Sequence, residues 1–219
     1  MTEPQALQKL LTWLSPAFPV GAFAWSAGLE TAIADRVVTD STALENWLAG
    51  TLAHGGIRTD AILLAQAHRT TSATELAELA DLCLALTPAR ERLSETSTTG
   101  NSFVTATRAW PAEILERLPD PCPYPIAVGA IAAAHQIDLD DALLAYITAA
   151  THGQVSVAVR LVPLGQTDGL RVMAALEPTI AALARAAAIA TLADLGSIAY
   201  AADIAQMRHE TLEPRIFRS

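Results

Sequence analysis

Three arginines, one histidine and a single large aromatic gather in residues 207–219: Arg208, His209, Glu210, Arg215, Phe217 and Arg218. A guanidinium is planar and always charged, and it can hold a carboxylate through two parallel bonds. Beside an aromatic, arginine is one of the residue types that dominate protein–protein contacts. Pro214 lacks a backbone N–H and clashes with the preceding turn, so it interrupts any helix there. The segment therefore reads as a short peptide leaving an alanine-rich helical region. Two readings stand: a frayed, solubilising end, as segments with few internal contacts usually are, or a docking element for a partner. Residues 15–25, Ser-Pro-Ala-Phe-Pro-Val-Gly-Ala-Phe-Ala-Trp, form a second apolar cluster. Phe18, Phe23 and Trp25 are either a plug folded onto the core or rigid apolar area offered to a partner.

Elsewhere the chemistry is sparse. His54, His68, His135, His152 and His209 are scattered, and none belongs to a His-x-x-x-His or Cys/His pattern, so no metal site is assigned. No Gly-x-Ser-x-Gly elbow is present, and no catalytic residue is assigned. Asp138, Asp140 and Asp141 are explained by the positive end of a helix dipole before any acid–base role. The only lysine is Lys9. A P-loop nucleotidase needs a lysine in its glycine-rich loop, and a Schiff-base enzyme needs one buried, so neither class fits. Gly165-Gln-Thr-Asp-Gly169 lacks that lysine and reads as a turn with a helix cap. Cys83 and Cys122 belong to no Cys-x-x-Cys pair and are expected as buried free thiols. An enzyme is not the expectation; the alternative is a small helical metal-dependent enzyme with histidines drawn from separate helices.

The elements that must position these residues are helices. Apolar residues make up 52% of the 219 positions and charged residues 17%, which excludes a disordered chain. Alanine and leucine dominate while β-branched and aromatic residues are few, so the expected class is all-α: one compact multi-helix domain over residues 1–206, with a flexible C-terminal tail at 207–219. The net charge of −9 argues against nucleic acid. Residues 142–159 carry no charged side chain over a length near that of a membrane span, but Thr148, Thr151, His152, Gln154 and Ser156 suit a helix buried in protein better. Met1 to Gln8 shows no secretory pattern, which with the thiols points to the cytoplasm. Helices are predicted over 4–14, 28–34, 42–53 from a capping box at Thr42–Glu45, 60–69, and 72–86 from a second box at Ser72–Glu75. Others follow over 88–110 with a break near Gly100, 126–135, 138–161 and 168–176, then a long pair opened by Pro178 and reaching Met207.

Four stretches, in order, resemble one known family. They are Leu14-Ser-Pro-Ala-Phe-Pro-Val-Gly-Ala-Phe-Ala-Trp-Ser-Ala-Gly-Leu-Glu30, Val159-Arg-Leu-Val-Pro-Leu-Gly-Gln-Thr-Asp-Gly169, Asp203-Ile-Ala-Gln-Met-Arg-His-Glu-Thr211 and Arg215-Ile-Phe-Arg-Ser219. Together they resemble the urease accessory protein UreF family. The chain departs from its pattern at Ala22, Ala24 and Ala27, and Tyr124-Pro125 stands where the family commonly has His-Pro. The resemblance implies a UreF-like helical bundle that forms a homodimer, binds UreD (also called UreH) and recruits the GTPase UreG to load nickel into apo-urease. It implies no stably bound cofactor, with nickel handled by the complex, and no membrane or nucleic-acid partner. It also implies that the tail docks on UreD/UreH, which places Arg208, His209, Glu210, Arg215, Phe217 and Arg218 at that contact.

Overall fold

The structure, a computed structural model, describes residues 3–219; Met1 and Thr2, part of the Met1–Gln8 stretch expected to show no secretory pattern, lie outside them. The described residues form ten α-helices and no strand: α1 Pro4–Trp13, α2 Leu29–Ala34, α3 Ser41–His54, α4 Gly56–His68, α5 Ala73–Ala85, α6 Arg90–Thr107, α7 Tyr124–Ala134, α8 Leu139–Leu161, α9 Gln166–Ile189 and α10 Tyr200–His209. The all-α expectation holds, as one helical domain.

Two helices make the centre. In α4, Asp60 to Ala65 and Ala67 are all buried, and in α7 every residue from Pro125 to Ala132 is. They can lie this close because α7 carries Gly129, where a Cβ would stand 2.3 Å from Leu64 O. Around them pack α3, α5, α6, α8 and α9. The uncharged run of α8 is thus accounted for: Ala142, Leu143, Tyr146, Ile147, Thr151, Val155 and Ala158 face the core. By length and composition alone, α8 and α9 each pass for a membrane span.

Several predicted boundaries are corrected. The cap of α3 is Asp40, whose Oδ1 accepts from Ala43 N at 2.9 Å, two residues before the predicted box. The box at Ser72 is observed as a cap, with Ser72 Oγ accepting from Glu75 N at 3.4 Å. α6 begins at Arg90 rather than at 88, and the Thr87 hydroxyl donates to Leu84 O at 2.7 Å, closing α5. Gly100 breaks nothing. It lies inside α6 because a Cβ there would sit 1.9 Å from Cys122 O, so the glycine lets the 122–124 loop cross the helix. Pro178 likewise lies within α9. Its neighbourhood is exposed, so water can serve the carbonyl of Ala174 that the proline leaves without a donor. Of the pair of helical segments predicted from Pro178 to Met207, the first ends at Ile189, and an irregular segment leads into the second, α10.

The aromatics of the first loop settle one of the open readings. Phe18 is buried and meets Phe103 and Trp110 at centroid distances of 5.7 and 6.3 Å, in a cluster that continues through Trp13, Tyr124 and Tyr146. Such edge-on pairs add about 0.5–1.5 kcal/mol each beyond area burial. Phe18 is a plug. Tyr124 serves this same cluster. Both thiols are buried, and burial first, then neighbouring charge, pushes each up to about 12.

Candidate functional site

The C-terminal segment is built into the fold rather than left flexible, which corrects the expectation for 207–219. Its anchor is Glu30, in the first turn of α2 and only 6% exposed. One carboxylate oxygen, Oε1, accepts the backbone N–H of Ile216 at 2.7 Å. The other, Oε2, accepts that of Phe217 at 2.9 Å and faces His209 Nε2 at 3.0 Å. His209 is fully buried, and its Nδ1 lies 2.7 Å from Glu91 Oε2. Both ring nitrogens thus stand within hydrogen-bond distance of a carboxylate oxygen. Glu91 also holds Arg215, whose Nη1 is 2.5 Å from its Oε1. Two carboxylates, the His209 ring and the Arg215 guanidinium therefore close a network across α2, α6, α10 and the tail.

The rest of the tail is stitched to residues 24–27. Arg218 N donates to Ala24 O at 2.7 Å, Ser26 N donates to Ser219 O at 2.8 Å, and Ala27 N donates to Ser219 Oγ at 3.1 Å; the Ser26 hydroxyl also donates to Ser219 O. Phe217 is 4% exposed. Gly28 makes the geometry possible in two ways. Its φ of +79° lies where side chains are strained, and a Cβ would stand 2.7 Å from Gln206 N of α10. Gly28-Leu29-Glu30 is thus one device: a close approach for α10, a core leucine, and a carboxylate for the tail.

The nine residues assigned from sequence divide by exposure. His209, Phe217, Phe18 and Trp25 are buried. Trp25 and Arg218 are brought together, with the guanidinium carbon 5.7 Å from the ring centroid. Arg208 pairs with Asp35 through both guanidinium nitrogens at 2.6 and 3.3 Å, and Glu210 accepts from Arg90 N at 3.1 Å. Arg208, Glu210, Arg215, Arg218 and Phe23 remain at the surface. Phe23 is 52% exposed and does not join the tail network. Sequence reasoning missed Ile216, whose side chain is 76% exposed between the two docked residues. It also missed Glu30 and Glu91 as partners.

A second polar cluster lies on the wall of a cavity of about 770 Å³ bordered by α1, α3, α6 and α8. Asp60 Oδ2 receives Arg92 Nη2 at 2.5 Å and the Tyr146 hydroxyl at 2.9 Å, and Arg92 Nη1 stands 3.1 Å from Glu95 Oε2. Burial works against the Arg92 cation, but Asp60 and Glu95 outweigh it and hold it above its ordinary pKa. Burial, with Asp60, keeps the Tyr146 hydroxyl protonated. Burial also pushes the Glu95 carboxyl above its usual range, against the pull of Arg92. A carboxyl whose pKa is raised by folding binds more protons folded than unfolded, so its contribution is fully present below pH 4.5 and is lost as pH rises through the folded value. The difference in unfolding free energy between wild type and Glu95→Gln, from urea titrations at steps between pH 4 and 7, should therefore fall with rising pH. A flat or rising difference contradicts the assignment.

Among the described residues no three His, Cys, Asp or Glu side chains converge as metal ligands. Comparison with known proteins bears on what this arrangement serves. A UreF family model matches residues 38–177. The urease accessory protein UreF of Rhizobium etli is 50% identical over 218 residues, which is 99% of this chain and 98% of that protein. The urease accessory protein UreF of Agrobacterium fabrum is 46% identical over 215 residues, 98% and 96% of the two chains. That of Bradyrhizobium diazoefficiens is 45% identical over 225 residues, 99% and 93% of the two.

Proposed function

The chain belongs to the UreF family of urease accessory proteins, and from that premise we propose that it is a non-enzymatic cytoplasmic scaffold for nickel insertion into apo-urease. In this reading it forms a homodimer, binds UreD/UreH through the face carrying the tail, and recruits the GTPase UreG. Nickel is the cargo of the assembled complex and not a resident cofactor of this chain. The observation that carries the proposal is the tail network anchored on Glu30. Four carboxylate contacts hold residues 209–217 in one conformation, and this leaves Arg208, Arg215, Ile216 and Arg218 outward. A partner meeting this face finds its apolar anchor and its cations already fixed. Binding is spared most of the ordering cost that a free peptide would carry.

The test separates docking from folding. The cognate UreD/UreH is mixed with full-length chain, with a chain ending at Gln206, and with the surface variant Ile216→Asp/Arg218→Glu; size-exclusion chromatography with light scattering follows each. Only the full-length wild type is expected to form the complex, with the surface variant weakened at least about tenfold because both changes lie at the contact. Equal binding by all three removes the tail from the interface. No binding by any removes the scaffold reading itself.

A further inference from the structure

We propose that the inner wall of the cavity is a binding site for a small organic primary ammonium ion, an amine carried on an apolar or aromatic body. The site is separate from the tail face and does not depend on the scaffold reading. Buried side-chain polar atoms without a hydrogen-bond partner are rare in folded proteins. Of the six among the described residues, four belong to residues that line this one cavity: Trp13 Nε1, Glu95 Oε2, Thr99 Oγ1 and Gln206 Oε1. Trp13, Thr99 and Gln206 are 2%, 3% and 7% exposed. Glu95 Oε2 faces Arg92 Nη1 at 3.1 Å as an ion contact, without hydrogen-bond geometry.

What these atoms lack defines the ligand. Three of the four are oxygens, of a carboxyl, a hydroxyl and a side-chain amide, and each can accept. Glu95 and Thr99 stand one turn apart on α6 and so share a face. The helix that carries Gln206, α10, packs against α6. A primary ammonium group offers three donors and no acceptor. Charge points the same way. The carboxyl groups of Asp60 and Glu95 share a single guanidinium, that of Arg92. Asp141 and Arg160, the other acidic and arginine residues lining the cavity, are of opposite sign and leave that balance unchanged. Burial pushes the Glu95 carboxyl up against the pull of Arg92; a ligand cation beside it supplies the charge that one guanidinium does not.

The rest of the cavity takes the body of the ligand. Trp13, Trp47, Tyr124 and Tyr146 line it, and aromatic faces attract cations as well as apolar groups. Trp13 Nε1, the one donor among the four atoms, calls for an acceptor on that body. A bare metal ion would use none of these walls. A volume of about 770 Å³ is that of a small-molecule site. Because Gln206 lies on α10, a bound amine ties α6 to the helix that leads into the tail.

Isothermal titration calorimetry on the full chain tests this with three probes of one shape: tyramine, its alcohol analogue tyrosol and the anion 3-(4-hydroxyphenyl)propionate. Salt at about 0.15 M screens diffuse attraction of the amine to a chain of net charge −9. Tyramine is expected to bind one to one, tyrosol about tenfold or more weaker because charged hydrogen bonds are lost, and the anion not at all. Glu95→Gln keeps the shape and removes the charge. It should weaken tyramine about tenfold or more and leave tyrosol unchanged, a discrimination that mere loosening of the fold would not give. Thr99→Val removes a hydroxyl that has no partner in the chain, so it should fold and weaken tyramine severalfold. If circular dichroism shows that Glu95→Gln does not fold, Thr99→Val and Gln206→Met decide. No binding of tyramine, equal binding of all three probes, or tyramine binding that these variants leave intact each overturns the proposal.

Discussion

Glu30→Ala is expected to undock residues 216–219 and to abolish the complex with UreD/UreH while leaving the helical domain folded. The carboxylate faces three groups, the N–H groups of Ile216 and Phe217 and Nε2 of His209. Truncating one partner of a buried charged network costs about 3–5 kcal/mol, because the remaining groups are left buried without partners. The tail has a way out that a core helix lacks. It can leave the surface, return its N–H groups to water, and give up the burial of Phe217, worth roughly 1.5–3 kcal/mol. The loss in global stability is therefore capped near the docking free energy of the segment. The local effect is larger: amide protection at Ile216, Phe217 and Arg218 should vanish while that of α4 and α7 persists. Glu30→Gln should fall between, since the amide offers one acceptor oxygen where two are used. Hydrogen exchange followed residue by residue, with the UreD/UreH mixing experiment on the same variants, checks this. Retained protection at Phe217 in Glu30→Ala would show that the anchor lies elsewhere.

The tail also shows where reading a sequence stops. Its composition announces a contact, but not with what: Glu30 stands 187 positions before Phe217, and nothing local marks a carboxylate as the acceptor of a distant backbone. The resemblance picked out Gly28-Leu29-Glu30 as a motif, and only the packing of α10 against Gly28 and of the tail against Glu30 gives it a physical sense. Helices as a class were legible because alanine and leucine favour nothing else. Their ends were less so. Gly100 and Pro178 are residues that ordinarily punctuate helices, yet each lies inside one. Gly100 answers to the loop crossing at Cys122, and Pro178 is tolerated on a wet surface. Both reasons are tertiary. The Thr42–Glu45 box failed for a simpler reason, a better acceptor two residues earlier at Asp40.

Asp60→Ala should be among the most destabilising single substitutions in the helical domain, lowering stability by about 3–5 kcal/mol. Asp60 joins three helices, for it lies in α4 and receives Arg92 of α6 and the hydroxyl of Tyr146 of α8. Unlike the tail, none of these elements can leave the core to rehydrate what is left. The Arg92 side chain would retain only Glu95, and the Tyr146 hydroxyl would lose its partner, so both costs fall on the folded state. The measurement is the urea midpoint, with the slope unchanged if two-state unfolding persists. A paired variant tells charge from packing. In Asp60→Ala/Arg92→Met the buried cation is gone along with its partner, and replacing a buried pair by apolar groups is often close to neutral. The double variant should therefore be more stable than Asp60→Ala alone, although it lacks one more native side chain. If the two losses simply add, the ion pair is not what holds α4, α6 and α8 in register. Recovery in the double variant places the cost in the unpaired Arg92 cation, and the wall of the cavity would then owe its rigidity to a salt bridge that stabilises little beyond the penalty of breaking it.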